Sequence, residues 1–277
     1  MTVRCIVCGG ASAEPMWGDD LVRCTTCSLV RAADRYFDID PARVYDASYF
    51  TGAEYVDYRG DRNAIRRNSI RRMATLQQLA PRARTLLDIG CGFGFFLEVA
   101  ADRWSVSGFE ISAHAAAEAR RGGVACVDGN YLDAPRGAAP PDIVCLWDTI
   151  EHLAAPGAVV AKIASEIAPG GILAISTGDI GSWLPRVQRR RWRLIHPPTH
   201  LWYFSAATLA ALLRNAGFRV LRTIHPPFYR SLRLYLRAVR GIVPRGIGDW
   251  PIPLQTWDLM EVYAQRCDTG VVEPCAG

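Results

Sequence analysis

A short apolar stretch that runs into three closely spaced glycines limits the possible folds of this chain most strongly. Residues 85–89 read Thr-Leu-Leu-Asp-Ile, which is typical of a buried strand, and glycines follow at positions 90, 92 and 94. Glycine lets the backbone turn sharply and approach a ligand without obstruction by a Cβ atom. A helix is predicted to begin near residue 95, so this segment has the strand–loop–helix form of a nucleotide-binding unit.

Strands continue to alternate with helices along the rest of the chain. Further strands are predicted near residues 105–109, 124–127, 142–146, 172–176, 218–223 and 260–266, with helices near 113–121, 156–168 and 206–216. The strand at 142–146 is apolar throughout, as expected for a strand covered on both faces. This alternation predicts an α/β fold with a doubly wound, Rossmann-like parallel sheet whose ligand crevice lies at the carboxyl ends of the strands.

The spacing of the glycines distinguishes between classes of ligand. Dinucleotide-binding loops follow the pattern G-x-G-x-x-G, whereas Phe95 occupies the third glycine position here. That difference argues against NAD or FAD, and a P-loop is excluded because no Gly-Lys-Ser/Thr follows. Glu110 ends the second strand, where a carboxylate can accept both hydroxyls of a ribose. The loop and Glu110 together predict a nucleoside-containing ligand.

Six ordered segments resemble the motifs of class I S-adenosylmethionine-dependent methyltransferases, and together they cover about residues 84–266. They are Leu87–Gly94, Glu110, Asn130-Tyr131, Trp147–Leu153, Pro169–Gly171 and His200–Ser205. The resemblance implies S-adenosyl-L-methionine as cofactor, held by Asp88, Gly90, Cys91, Gly92, Gly94, Glu110, Ile111, Asn130, Tyr131, Trp147 and Asp148. Taken without the resemblance, Asp88 could be a turn residue at a strand end, and Asp148 could cap the following helix.

The cysteines are concentrated at the start of the chain. Two pairs, Cys5-x-x-Cys8 and Cys24-x-x-Cys27, are separated by 15 residues. Doubled C-x-x-C at this spacing predicts a four-thiolate Zn²⁺ site, and a redox pair is the alternative. Four thiolates leave no open coordination position, so the zinc would be structural. The segment is too short to fold on apolar burial alone, and metal binding would supply its folding free energy.

The zinc ribbon and the aromatic stretch after it resemble a narrower bacterial group of methyltransferases that modify sugars and other natural products, including those of antibiotic biosynthesis. The resemblance implies that Tyr45, Tyr49 and Phe50 fold over the cofactor, although these side chains could instead bridge the ribbon to the core. Sugar C-methyltransferases of this group resemble one another in a Tyr-x-Glu-His segment at this position. Residues 197–200 here are Pro-Pro-Thr-His instead. The missing Tyr and Glu favour an oxygen or nitrogen acceptor.

Two histidines are the predicted catalytic residues. Transfer to a hydroxyl benefits from a general base, and histidine can act as one near neutral pH. His152 follows the fourth predicted strand and His200 follows the fifth, so both loops open at the predicted crevice. We predict His200 as the base and His152 as the second candidate. A packing or capping role is the alternative for each.

Basic residues flank the predicted acceptor side of the fold. The arginine-rich stretch 186–193 suits a phosphate or carboxylate on an anionic acceptor, or it is a solvated loop. The predicted acceptor contacts are Arg191, Trp192, Arg193, His196, Trp202 and Tyr203. Arg230, Arg233, Arg237 and Arg240 share one stripe of a helix predicted over 229–240. We expect this inserted helix, at about 226–250, to form a lid, with membrane-surface docking as the alternative.

The sequence divides into three predicted parts: a zinc ribbon over 1–36, an aromatic and helical linker and lid over 37–80, and a methyltransferase core over 81–277. A net charge of +5 is mild, and neither a signal peptide nor a transmembrane stretch is visible. We therefore expect a cytoplasmic enzyme with a small-molecule acceptor and no nucleic-acid partner. The oligomeric state is unknown.

Two other functions compete with this interpretation. One is an RNA base methyltransferase that uses the ribbon and the arginine-rich helix predicted over 61–79, and the other is a zinc-ribbon interaction protein without catalysis. No Asn-Pro-Pro-aromatic motif follows the fourth strand, which argues against the first. The intact glycine loop and Glu110 argue against the second.

Overall fold

The computed structural model describes residues 3–39, 44, 58–137, 139–233, 235–236 and 250–267. Predicted residues outside this set are Tyr45, Tyr49, Phe50, Arg237 and Arg240. The chain forms two compact units, of which the first comprises Met1–Asp40, Leu132–Pro226 and Trp257–Gly277. The second comprises Pro41–Tyr131 and Pro227–Thr256.

The strands are β1 (Ala13–Pro15), β2 (Leu21–Cys24), β3 (Val30–Ala32), β4 (Thr85–Ile89), β5 (Ser105–Glu110), β6 (Cys126–Asp128), β7 (Ile143–Trp147), β8 (Ile172–Gly178), β9 (Trp202–Tyr203), β10 (Phe218–Ile224), β11 (Phe228–Ser231), β12 (Pro251–Leu254) and β13 (Leu259–Arg266). The α-helices are α1 (Arg62–Leu79), α2 (Phe95–Ala100), α3 (Ala113–Arg121), α4 (Pro156–Glu166), α5 (Trp183–Gln188) and α6 (Ala206–Asn215). Among the described residues, no helix combines the length and the apolar character needed to cross a bilayer.

The α/β part of the first unit contains four strands in the order β10-β13-β8-β7. Strands β7 and β8 are parallel as predicted, whereas β13 runs antiparallel to both β8 and β10. The prediction of a wholly parallel sheet is therefore wrong at β13, because local periodicity does not fix strand direction. Every residue of β7 and β8 is buried, which explains why neither strand alternates between apolar and polar residues. Helix α6 begins at a capping box formed by Ser205 and Thr208, and Gly217 follows its end at φ +82°.

The cysteine-rich segment of the first unit forms a second, antiparallel sheet in the order β1-β2-β3-β9. Its last strand comes from far along the chain, because Val30 pairs with Tyr203 and Arg31 with Trp202. Leu21, Val30, Trp192 and Tyr203 are buried together in one apolar cluster. Residues after β8 therefore complete the sheet and the core of the ribbon.

The second unit contains three parallel strands in the order β4-β5-β6. Phe93, Phe95 and Ala115 form an apolar cluster against which Tyr58 and Ile65 pack. Strand β4 is buried from its second residue to its last, as predicted for the strand that leads into the glycine loop. Together the two units contain seven strands of the α/β core with helices between them.

The predicted lid helix begins instead with a strand, and this corrects the sequence analysis. Residues 228–231 form β11, which pairs antiparallel with β12. Asp61 holds this strand, since its carboxylate accepts the Ser231 backbone N–H at 2.8 Å and the Arg230 guanidinium at 2.9 Å. Arg230 therefore lies on a strand rather than on the predicted helical stripe. Helical residues begin at 232, and most of the predicted lid lies outside the described residues.

Candidate functional site

The glycine loop of the second unit has the backbone conformation that its composition requires. Gly90, Gly92 and Gly94 have φ values of +77°, +55° and +79°, a region that disfavours residues with a Cβ atom. A Cβ on Gly92 would lie 2.9 Å from the Tyr58 hydroxyl oxygen, and one on Gly94 would lie 3.0 Å from Val124 Cγ2. Substitution at either position would therefore both strain and crowd the loop.

Glu110 ties the glycine loop to the loop after β5. One carboxylate oxygen accepts the Gly92 backbone N–H at 2.8 Å, and the other accepts the Ser112 backbone N–H at 2.9 Å. Burial raises the pKa of Glu110, although these backbone donors act in the opposite direction. Each carboxylate oxygen has a second lone pair. Glu110 can thus orient both loops and still accept ligand hydroxyls.

The remaining predicted cofactor residues of the second unit differ in exposure. Ile111 and Asn130 are exposed, whereas Tyr131 is buried with its ring centroid 5.2 Å from that of Phe109. Asp88 is buried at the end of β4. Cys91 is also buried, with its Sγ 3.5 Å from Cys126 Sγ. The hydrogen-bonded Cys126 thiol raises the pKa of Cys91, and burial raises it further, so this thiol stays protonated.

The first unit places Trp147 and Asp148 at the carboxyl end of β7. Asp148 has a φ of +51°, and its backbone N–H donates to Ser176 Oγ at 2.9 Å. The Ser176 hydroxyl in turn donates to Asp148 Oδ1 at 2.8 Å. Trp147 is buried, with its ring centroid 6.4 Å from that of Tyr263. Ser176 therefore holds the turn that follows β7.

Three histidines come together beyond the carboxyl ends of β7 and β8 in the same unit. The His200 ring centroid lies 4.5 Å from that of His152 and 3.8 Å from that of His196. His152 Nδ1 donates to the Thr199 carbonyl and His200 Nδ1 to the Leu194 carbonyl, both at 2.9 Å. A carbonyl can only accept, so these bonds place the ring proton of each neutral imidazole on Nδ1 and the lone pair on Nε2.

All three imidazoles are neutral at physiological pH. Burial lowers the pKa of His152 to about 4. Burial and the two neighbouring histidines hold the pKa of His200 well below its usual range, and burial also lowers the pKa of His196. Each ring can therefore offer a lone pair, but His152 and His200 take up a proton weakly.

Several predicted acceptor contacts are buried. Trp192 is 2% exposed, and its indole N–H donates to Asp258 at 2.7 Å. The Trp202 indole donates to the Leu153 carbonyl at 2.8 Å, and the Tyr203 hydroxyl donates to the His200 carbonyl at 3.0 Å. The structure therefore places these aromatic side chains in the packing that surrounds the histidines.

The predicted basic acceptor contacts lie at the surface. Arg191 ends an exposed 3₁₀ turn, Arg189–Arg191. Arg193 is also exposed and reaches Asp258 at 3.3 Å.

The four N-terminal cysteines converge as their spacing predicts. Their sulfur atoms all lie within 4.8 Å of one another. Cys5 Sγ is 3.3 Å from Cys27 Sγ, and Cys8 Sγ is 3.5 Å from Cys24 Sγ. These separations are well beyond a disulfide bond of about 2.05 Å. They are close to the roughly 3.8 Å edge of a tetrahedron of sulfurs at about 2.3 Å from zinc.

Cys5, Cys24 and Cys27 differ in acidity. Burial raises the pKa of Cys5 and of Cys27. Burial acts in the same direction on Cys24, but backbone donors at Cys27 and Thr26 and the Cys8 thiol lower the pKa of Cys24 to about 6.

Sequence reasoning assigned no role to two acidic residues of the first unit. Glu151 is 4% exposed, and its carboxylate oxygen lies within 4.8 Å of ring nitrogens of His152 and His200. Its position next to His152 in the sequence was the signal that could have indicated a role for Glu151. Asp258 is fully buried between Trp192 and Arg193, and no spacing in the sequence connects it with them.

Comparison with known proteins identifies the family. A family profile described as a methyltransferase domain matches residues 58–223. A "Probable S-adenosylmethionine-dependent methyltransferase" of Mycolicibacterium smegmatis is 30% identical over 214 residues, which cover 72% of this chain and 79% of that protein. A dTDP-3-amino-3,6-dideoxy-alpha-D-glucopyranose N,N-dimethyltransferase of Streptomyces fradiae is 32% identical over 108 residues, covering 37% of this chain and 42% of that protein.

A solved structure agrees on the fold. The magnesium protoporphyrin IX methyltransferase of Synechocystis with bound SAH superimposes with a TM-score of 0.55 and 16% identity, covering 82% of this chain and all of that one. With the geometry of the glycine loop and the extent of the family match, these findings establish that the chain belongs to the methyltransferase-domain family and is an S-adenosylmethionine-dependent methyltransferase of Rossmann-like fold.

Proposed function

We propose that this enzyme methylates an oxygen or nitrogen of a small anionic acceptor, such as a sugar, a nucleotide-linked sugar or a natural-product intermediate. The observation that carries the proposal is the histidine cluster, in which His200 is buried and His152 and His196 are half-buried. Its members follow the parallel strands β7 and β8, on the edge where acceptors are expected. When bound, S-adenosylmethionine supplies an activated sulfonium methyl group. The chain itself then has to position the acceptor and manage its proton.

Glu110 and the glycine loop are the proposed binding residues for the nucleoside part of the cofactor. The absence of a Cβ at Gly92 lets the Tyr58 hydroxyl approach the loop, and Glu110 fixes the loop backbone through the Gly92 N–H. The exposed Ile111 and Asn130 are proposed to face the cofactor from the ends of β5 and β6, beside the buried Tyr131. The family resemblance assigns Asp88, Gly90, Cys91 and Gly94 to this binding loop. It gives Trp147 and Asp148, which belong to the first unit, a cofactor-binding role as well.

His200 and His152 are the proposed residues for proton handling at the acceptor. Their hydrogen bonds to backbone carbonyls leave Nε2 as the basic atom of each ring. His152 is the more accessible of the two, since it is half-buried and His200 is buried. An acceptor that is already an amine requires less of a base than an alcohol does, which fits imidazoles of depressed pKa.

The anionic character of the acceptor rests on the exposed arginines that follow β8. Arg189, Arg190 and Arg191 form one exposed 3₁₀ turn. A guanidinium matches a phosphate or carboxylate in bidentate geometry. The Streptomyces fradiae relative is named for a dTDP-linked amino sugar, and such a substrate carries two phosphates. The same class of acceptor would suit this turn.

We also propose that Cys5, Cys8, Cys24 and Cys27 hold a structural zinc ion. The proposal is supported by the convergence of their four sulfurs and by the preference of zinc for thiolate ligands. The metal would stabilise three short strands that have little core of their own.

A radiolabel transfer assay tests the proposed acceptor class. The enzyme is incubated with methyl-labelled S-adenosylmethionine and a matched panel of amino sugars, neutral sugars, and their nucleotide-linked forms. We expect label to enter an oxygen or nitrogen of a nucleotide-linked member in preference to its neutral counterpart. Label on carbon, or equal transfer to the neutral forms, would overturn the proposal. Replacement of Arg190 and Arg191 by glutamine should raise KM for the preferred acceptor more than it changes kcat.

A further inference from the structure

We propose that Glu151, His152 and His200 form a second metal site, distinct from the four cysteines, which binds a divalent first-row transition cation such as Mn²⁺, Fe²⁺ or Zn²⁺. One ligand atom from each side chain lies within 4.8 Å of the others. Two ligands of one cation at about 2.1 Å can lie at most about 4.2 Å apart, so small side-chain rotations would close the site. Two imidazoles and one carboxylate form a ligand set typical of zinc and non-haem iron sites.

Both imidazoles are oriented as metal ligands are. A metal-binding histidine usually donates its other ring N–H to a carbonyl or carboxylate, which fixes the ring and the tautomer. His152 and His200 each donate from Nδ1 to a backbone carbonyl, of Thr199 and Leu194 respectively. Both Nε2 atoms therefore carry the lone pair that a cation requires, before any metal arrives.

The backbone holds the ligands in place from two separate segments. Glu151 and His152 belong to the 3₁₀ turn Ile150–His152 after β7, and His200 precedes β9. The Leu201 backbone N–H donates to the Glu151 carbonyl at 2.9 Å. The Trp202 indole donates to the Leu153 carbonyl at 2.8 Å. These bonds cross between the segments, so the ligand set is part of the fixed packing.

Charge favours a cation at this position. Glu151 is 4% exposed, and a cation beside a carboxylate at such depth is attracted more strongly than it would be in water. The two imidazoles contribute no charge of their own. A divalent cation between the three side chains would add the positive charge. Three protein ligands also leave coordination positions for an acceptor heteroatom. Because the cation would occupy both Nε2 lone pairs, it would replace the imidazoles in activating that heteroatom, a consequence that rests on the proposed function.

Manganese binding to the full chain, with zinc retained at the cysteines, tests the site. Mn²⁺ is the probe because it prefers carboxylate and imidazole ligands to thiolates. Its free aqueous ion gives an electron paramagnetic resonance signal that is lost on binding. We expect one Mn²⁺ per chain in the wild type. Glu151→Gln and His200→Gln should each weaken binding at least about tenfold. His225→Gln, a histidine change outside the cluster, should leave it unchanged.

Folding measurements and cofactor binding separate the possible failures. An unchanged circular dichroism spectrum and denaturant midpoint, rather than zinc content alone, report that each variant is folded, because the cysteine segment can take up zinc by itself. If the wild type binds no Mn²⁺, or if folded Glu151→Gln and His200→Gln bind it as tightly as the wild type, the metal site is overturned. Calorimetry with S-adenosylmethionine tests the proposed cofactor site independently, so a methyltransferase without this cation would still be recognised.

Discussion

Replacing Glu110 by glutamine would show whether this carboxylate organises the cofactor loop. Its two oxygens accept the Gly92 and Ser112 backbone N–H groups at 2.8 and 2.9 Å. Glutamine keeps one acceptor but turns an amide NH₂ toward the other donor. The loss of one hydrogen bond to a charged group costs about 1.5–3 kcal/mol. Burial raises the pKa of Glu110, which means that its charged form is disfavoured and that removing the charge offsets part of the cost. We therefore expect the free energy of unfolding to fall by about 1–2 kcal/mol.

Glu110→Gln should also weaken cofactor binding. If the carboxylate accepts ribose hydroxyls, the variant loses one charge-assisted bond to the ligand as well, again about 1.5–3 kcal/mol. That corresponds to an increase of about 10- to 100-fold in Kd. Isothermal titration with S-adenosylhomocysteine measures this change, and a denaturant melt measures the change in stability.

Glu118→Gln is the matched control for this experiment. Glu118 is a buried glutamate of the same unit that, among the described residues, pairs with Arg59 and Arg121 and not with a backbone N–H of the glycine loop. We expect its Kd to stay within about twofold of the wild type, since no ligand bond is lost. The reasoning fails if folded Glu110→Gln binds with unchanged Kd, or if the control weakens binding to the same extent.

Three further substitutions address packing and the cysteine cluster. Gly108→Ala places a Cβ 2.7 Å from Cys91 Sγ, so the free energy of unfolding, measured in a denaturant melt, should fall by about 1–3 kcal/mol. An unchanged midpoint would show that Cys91 moves freely. Trp192→Phe removes the indole donor from buried Asp258, and we expect a loss of about 1.5–3 kcal/mol with unchanged S-adenosylhomocysteine affinity. A lower affinity without a loss of stability would contradict that supporting role. Cys8→Ser changes an exposed side chain and leaves no core cavity, so any loss of zinc, measured by mass spectrometry, comes from the ligand itself. Full zinc occupancy in this variant would refute the four-cysteine site.

The prediction of a Rossmann-like α/β methyltransferase fold is confirmed. It could be made from the sequence because hydrophobic periodicity and the conformational preference of glycine are local properties. Gly90, Gly92 and Gly94 sit at positive φ as a sharp turn requires, and the strand before them is buried. Local pattern also explains the apolar strand β7, which is covered on both faces.

Contacts between distant segments could not be predicted in this way. The arginine spacing after residue 229 fits a helix. Asp61, which is 170 and 169 residues away, accepts hydrogen bonds from Ser231 and Arg230 and so holds this segment as a strand. The burial of Trp202 follows from pairing with β3, which no local pattern reveals. Glu151 was missed for a related reason, since its significance depends on His200 lying beside it in space.

The pairing of Val30 with Tyr203 also has a consequence for the order of events during synthesis. The four cysteines leave the ribosome early and would bind the proposed zinc ion at once, but the outer edge of β3 has no partner until residue 203 follows. At about 5–20 residues per second, the 171 residues from 33 to 203 take roughly 10–30 s to make. For that time an unpaired strand edge is open to the strands of other nascent chains. Early metal binding would restrict the conformations of β3. The free edge of β3 would nevertheless stay unpaired until β9, in the second half of the chain, is made.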